Sequence, residues 1–253
     1  MDKTFKPLLS VITVVYNNVQ HIERTILSVI NQTYSEIEYI IIDGGSNDGT
    51  LAVVERYASK ISVLKSEKDK GIYDAMNKGL ALATGDYVLF MNSGDEIYSH
   101  DTVSEIFNKP PFADIYYGET EMINEQLESQ GQRRHKTPKN LNLSSFKYGM
   151  SVSHQAIYIK REIVKPYNLN YQLSADIDWI LAAIRKAKLI VNVNIYVAKY
   201  LIGGLSKQKH LQSLKERFQI FSKYYGVLPN AYNHIIIGFR LAFYFLKYNK
   251  TND

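Results

Sequence analysis

Four strongly apolar runs in the first hundred residues, each closed by a turn or polar cluster and separated by helix-patterned segments, leave few folds open to this chain. Residues 8–16 (LLSVITVVY) are almost unbroken in apolar and β-branched side chains and stop at Asn17 and Asn18, the pattern of a strand covered on both faces. Ile22, Ile26, Val29 and Ile30 then share one helical face. A second run, IEYIIID, ends at Asp43 and gives way to Gly44-Gly45-Ser46-Asn47-Asp48-Gly49-Thr50 and a further helix. A short strand at 61–65, a helix with Met76, Leu80 and Ala83 on one face, and DYVLFM at 86–91 repeat the rhythm as far as Asn92-Ser93-Gly94-Asp95. Such alternation predicts an α/β fold with a mostly parallel central sheet flanked by helices. Ligands of open sheets bind beyond the carboxyl ends of the strands, so the three polar clusters should face one cleft.

Beyond residue 110 the rhythm changes. ADIYYGET, a polar segment through Gln132 and HQAIYIKRE read as strands and loops laid over the first half. A helix is expected from Ser174 to Ala187, then a strand-like LIVNVNIYVAKYL, a turn at Gly203-Gly204, and two helical segments divided near Pro229. These boundaries give a catalytic unit over residues 1–205, with a donor half at about 8–98 and an acceptor half at about 110–205, followed by a helical extension over 206–253. A chain of 253 residues, 45% hydrophobic and without low-complexity tracts, has enough apolar surface for one large core.

The net charge of +5 is spread along the chain rather than gathered into a basic run, which gives no footprint for nucleic acid. With no cysteine, thiolate metal sites, disulfides and cysteine nucleophiles are excluded, and any metal must be held by oxygen or imidazole. Lys3 and Lys6 before the apolar run mimic a signal peptide, but no small-residue cleavage site follows. Ile235 to Leu246 is interrupted by Gly238 and Arg240 and is too short for a span of about 20 residues.

Asp43 and Asp95 fit the needs of a nucleotide-sugar site, a base-edge acceptor and a carboxylate beside the phosphates. A solvated turn is the plain alternative for the segment from Asp43 to Gly49, with Asp48 starting the next helix. A turn such as Asn92-Ser93-Gly94-Asp95 suits a hard cation through oxygen, although turns of this composition are common.

The succession SVITVVYNN, EYIIIDGGSNDGT and EKDKGIYDAMNKGLALATGDYVLFMNSGDE resembles family 2 of the inverting glycosyltransferases with the GT-A fold, across roughly residues 8–98, and most of all its bacterial capsule, exopolysaccharide and O-antigen enzymes. The resemblance implies that Tyr16 lies by the base, that Asp43 hydrogen-bonds base or ribose, and that Asp69, Gly71 and Tyr73 border the donor. It implies a divalent cation, Mn²⁺ or Mg²⁺, at Asp95. The family usually has Asp-x-Asp or Asp-x-Asp-Asp here, whereas this chain has Asn92 and Gly94 where carboxylates are frequent. In the second half, YQLSADIDWIL resembles the segment carrying the family's catalytic base, with Ala175 in place of its Glu and Asp176 at the base position. Asp178, two residues on, would diverge from Asp176 by about 200° on a helix and is expected in a supporting role on the acceptor side. His154 and Gln155 could touch the acceptor, and a lone histidine at a strand start is equally a structural residue.

The implied partners are a UDP-, GDP- or dTDP-sugar donor and a glycan or lipid-linked acceptor, in the cytoplasm or at the inner face of the membrane. Aromatic and basic residues between Ala231 and Lys250 suit an interfacial helix, a homodimer contact or packing on the domain. The other reading kept open is a nucleotide-sugar-binding protein without turnover, suggested by the reduced carboxylate motif.

Overall fold

The computed structural model describes residues 6–108, 112–133, 136–203 and 210–248, with the side chains of 210 and 240–248 outside the description. The first half runs β1 (Leu9–Val15), α1 (Ile22–Ile30), β2 (Ile37–Asp43), α2 (Thr50–Glu55), β3 (Val63–Ser66), α3 (Ile72–Leu82), β4 (Tyr87–Phe90), β5 (Glu96–Ile97) and α4 (Thr102–Phe107). The second half adds β6 (Ile115–Ile123), β7 (Ser129–Gln132), β8 (Ile157–Lys160), α5 (Ala175–Lys186), β9 (Ile190–Leu201), α6 (His210–Tyr225) and α7 (Val227–Tyr248).

One sheet takes the order β3-β2-β1-β4-β8-β6-β9-β5, with β7 hydrogen-bonded to β6 outside that path. β3, β2, β1 and β4 pair in parallel, as the alternating pattern predicts. Beyond β4 the sheet is mixed: β8 runs antiparallel to both β4 and β6, while β6 and β9 are parallel. The expectation of a mostly parallel sheet therefore describes the first half. Every residue of β1 is buried, which is why its sequence lacks the two-residue alternation of a half-exposed strand. Ile22, Thr25, Ile26 and Val29 bury the inner face of α1 at helical spacing.

The register sets the cleft. Val15 lies beside Asp43, and Asp43 beside Ser66, so these three strands end level with one another. After β4 the chain stays beside β1, with Ser93 N–H donating to Val14 O at 3.2 Å, which brings Asn92 to Asp95 up to the same edge.

The two C-terminal helices divide at Gly226 rather than near Pro229. Gly226 has φ +85°, a left-handed conformation that glycine adopts without a Cβ penalty. Pro229 sits in the first turn of α7, where its missing N–H has no helical partner to lose. Among the described residues no helix is long and apolar enough to cross a membrane. Gly204 of the expected turn lies outside the described residues, as does Lys250. The side chains of Arg240, Phe243, Phe245, Leu246 and Lys247 are likewise not described.

Candidate active site

At the carboxyl edge of the sheet lies a cleft of about 790 Å³, within the size range of small-molecule sites. It opens into a smaller recess of about 390 Å³ bounded by Tyr16, Gly44, Gly45, Lys68, Asp69 and Gly71. Tyr16, Asp69 and Gly71 line both, so the two are one continuous depression.

The recess is shaped by the glycine turn after β2. Asp43 is fully buried, and its carboxylate accepts hydrogen bonds from the Gly45 and Ser46 N–H groups and from Ser66 Oγ at 2.6 Å. The sequence places Asp43 against a base or ribose; here its carboxylate is engaged within the turn, and it is not part of the cleft lining. Asp48 accepts from Thr50 N–H and Val19 N–H at the start of α2. At Gly44 a Cβ would collide with Asp69 Oδ2 and press on the Tyr16 ring, so the absent side chain is what lets those two residues approach. The other oxygen of Asp69 accepts from Gly71 N–H at 2.8 Å, just before α3.

Asp95 is held from three sides. Thr25 Oγ accepts from Gly94 N–H and donates to Asp95 O at 2.8 Å, fixing the backbone of the turn. The Asp95 carboxylate accepts from Gln155 Nε2 at 2.6 Å and from Leu201 N–H at 3.1 Å. Burial pushes its pKa up to about 6, against the opposing effects of the Gln155 hydrogen bond, His154, Leu201 and Arg24. Beside it in the lining, Asn92 donates or accepts through Nδ2 at 3.0 Å from His154 Nε2, while its buried Oδ1 has no hydrogen-bond partner among the described residues. Gln155, expected to touch an acceptor, uses its amide to hold Asp95.

Asp176 sits in the first turn of α5. Tyr73 Oη donates to its Oδ1 at 3.1 Å, and His154 Nδ1 stands 3.5 Å from its Oδ2. The second distance suits an ion pair but is long for a hydrogen bond, and Nδ1 has no hydrogen-bond partner among the described residues. Burial works to raise the Asp176 pKa, yet His154, the Arg217 cation and Tyr73 outweigh it and hold the carboxyl below its ordinary value. Asp176 is therefore ionised at neutral pH. Behind it Tyr73 stacks on Tyr167 and Tyr167 on Trp179, with ring centroids 5.3 and 5.1 Å apart, which fixes the Tyr73 hydroxyl from the core side.

Asp178 turns away from the cleft, as two residues along a helix must. Its carboxylate accepts from Lys223 Nζ at 2.7 Å and Tyr224 Oη at 3.0 Å, fastening α5 to α6 rather than facing an acceptor. Glu216 on α6 accepts from the N–H groups of Gln172 and Leu173, and Ser174 Oγ bonds Ser213 Oγ instead of capping α5. These ties seat α6 across the start of α5 and bring Arg217 into the cleft wall. Arg133, Arg217 and Tyr200 line the cleft and were not singled out by the sequence. The one local signal for Arg133 is its place in the basic run Arg133-Arg134-His135-Lys136; Arg217 sits in an ordinary polar helix with none.

The model of the family described as glycosyl transferase family 2 matches residues 10–165, more than half of the chain. The chain belongs to that family. It is an enzyme of the glycosyltransferase class, and its β3-β2-β1-β4 edge carries the matched motifs. A PGL/p-HBAD biosynthesis glycosyltransferase of Mycobacterium bovis is 29% identical over 211 residues, 79% of each chain. An uncharacterised glycosyltransferase of Mycobacterium tuberculosis is 33% identical over 190 residues, 71% of this chain and 70% of that one. Among solved structures, mannosyltransferase PcManGT of Pyrobaculum calidifontis in complex with GDP-Man and Mn²⁺ superposes with a TM-score of 0.68 at 17% identity, covering 94% of this chain and 73% of that one. S. aureus TarS 1–349 in complex with UDP-GlcNAc gives a TM-score of 0.64 at 17% identity, covering 85% of this chain and 66% of that one. At such identities these two likenesses establish the shared GT-A architecture of the family 2 chain.

Proposed function

We propose that this family 2 glycosyltransferase moves a sugar from a nucleoside diphosphate, UDP, GDP or dTDP, to a hydroxyl of a glycan or lipid-linked acceptor with inversion, in bacterial surface polysaccharide assembly. The observation that carries the reading is an ionised carboxylate, Asp176, facing the same cleft as the Tyr16–Asp69 recess. The recess takes the nucleotide, with Tyr16 by the base, Asp69, Gly71 and Tyr73 along the donor, and Asp43 acting through the turn it shapes. The donor half is residues 8–98 and the acceptor half 110–205, with 206–253 as the helical extension.

In the reaction the acceptor oxygen attacks the anomeric carbon on the face opposite the diphosphate. Its proton passes to Asp176 as the bond from that carbon to the diphosphate oxygen breaks. Tyr73 and His154 aim the carboxylate, and one displacement inverts the configuration.

A divalent cation fits beside β4. The unpartnered Asn92 Oδ1 and the Asp95 carboxylate are the oxygen donors a hard cation takes. Among the described residues no group of three His, Cys, Asp or Glu could hold a metal. The diphosphate must therefore complete the coordination, and cation and donor bind together. Mg²⁺ or Mn²⁺ bound there would neutralise charge on the departing diphosphate. A thermal-shift screen of UDP-, GDP- and dTDP-sugars with and without Mn²⁺ tests the donor class, because a ligand of the native state raises the melting temperature. No shift with any of the three would end the donor reading.

Gly44→Ala tests the recess. The added methyl displaces the Asp69 carboxylate, a movable side-chain end, so the melting temperature should stay near wild type. Nucleoside diphosphate affinity should fall about tenfold, the scale of an overpacking cost of about 1–3 kcal/mol. Calorimetry showing wild-type affinity would place the base elsewhere.

The exposed Leu228, Tyr232, Ile235 and Phe239 on α7 support docking on the inner face of the membrane. A Leu228→Glu and Phe239→Glu double variant should melt like wild type, since both side chains are exposed, and bind anionic vesicles about tenfold more weakly. Unchanged vesicle binding would leave α7 as a surface for a second copy of the chain.

A further inference from the structure

Two guanidinium groups in the cleft have nothing to neutralise them. Arg133, just past β7, and Arg217, on α6, both line it. Arg133 Nη1 and Arg217 Nε are buried without a hydrogen-bond partner, and neither side chain forms an ion pair among the described residues. A buried, unpaired cation is costly, and two facing one cavity cost more, unless a ligand brings negative charge to them. Burial works against the Arg133 cation, Tyr200 and Asp176 partly offset it, and the neighbouring Arg217 charge adds to the penalty. The chain nevertheless invests in this arrangement, since Glu216, Ser213, Lys223 and Tyr224 tie α6 down around Arg217.

The position of the pair narrows the ligand. The nucleotide end is at Tyr16 and Asp69, and the cation oxygens are at Asn92 and Asp95. Arg217 is among the charges that depress Asp176, whereas the cations acting on Asp95 are His154 and Arg24. The arginines thus stand at the Asp176 end, where the attacking hydroxyl must be.

We infer that Arg133 and Arg217 form an oxyanion site for the acceptor, which carries a phosphate or carboxylate group close to the hydroxyl that is glycosylated. Guanidinium forks are suited to such groups because they present paired N–H donors. The site deepens the glycosyl-transfer reading and rests on it, because Asp176 as base is what marks this end as the acceptor's.

Inorganic phosphate is the probe. Titrated calorimetrically at low ionic strength into the full chain saturated with UDP, GDP or dTDP and Mg²⁺, phosphate should still bind. Arg133→Gln and Arg217→Gln should each weaken phosphate about tenfold or more, the scale of a charge-assisted hydrogen bond, and Arg217→Lys should weaken it less. Nucleotide affinity should stay within about twofold of wild type in all three, as expected for residues that leave the donor alone. Arg133→Gln lies outside the helix contacts and remains a test if Arg217→Gln does not fold. Competition between phosphate and the nucleotide would assign the pair to the leaving diphosphate and overturn the inference. So would phosphate binding that both Gln variants retain, or none in the wild type. Failure of all three nucleotides to bind would instead defeat the donor reading, while phosphate titration of the free protein still decides whether the anion site exists.

Discussion

Asp176→Asn should lower single-turnover sugar transfer by about 10²-fold or more, the usual scale for a general base, while donor affinity stays near wild type. The substitution keeps the shape of the side chain and the oxygen that Tyr73 Oη bonds at 3.1 Å, and removes the ability to take a proton. The loss should therefore fall on chemistry rather than on binding. The depressed pKa of Asp176 adds a further expectation, since the carboxylate remains ionised well below neutrality and cannot set an acid limb near pH 6. The anomeric configuration of the wild-type product, read by NMR, should be inverted. If the variant transfers at the wild-type rate, Asp176 is not the base. Asp178 would then be a poor replacement, because Lys223 and Tyr224 hold it against α6.

How far the sequence can be read depends on how local the cause is. β1, β2 and β4 are buried on both faces, so their apolar runs identify them without any knowledge of the fold. The parallel half of the sheet follows from the helices between them. The mixed half does not, because the antiparallel pairing of β8 with β4 and β6 is set by contacts between residues far apart in the chain. The same holds within the cleft. Tyr16, Asp69, Gly71, Asn92 and Asp95 stand at strand or turn ends and are legible from spacing. Gln155 on Asp95 and Arg217 beside Asp176 are not, since their roles come from the folding of β8 and α6 over the first half. Asp43 shows a third case: its motif is plain, but only the structure reveals three donors converging on its carboxylate.

Asp95→Asn should separate stability from function. Because burial raises the Asp95 pKa to about 6, the folded protein holds a proton there that the unfolded chain, with an ordinary carboxylate, has released. The resulting stabilisation is complete below about pH 4 and is lost as pH rises through about 6. At pH 7 and above the wild type carries a buried, ionised carboxylate that a cation would balance and that Asn lacks. Asn can still accept from Leu201 N–H, and the Gln155 amide can turn its oxygen toward the new Nδ2. The variant should consequently melt at or above the wild-type temperature at pH 7 without cation. Its cation-dependent donor affinity should nonetheless fall about 100-fold, at the upper end of what even an outer-shell change costs a metal site. In the wild type, kcat/KM for the donor should drop about tenfold per pH unit below about pH 6, where Asp95 takes up its proton and a cation must compete with it. Melting curves from pH 5 to 8, donor titrations with and without Mn²⁺, and the pH profile together decide the case. Undiminished cation-dependent donor binding by a folded Asp95→Asn variant would remove Asp95 from the site and leave Asn92 without a carboxylate partner there.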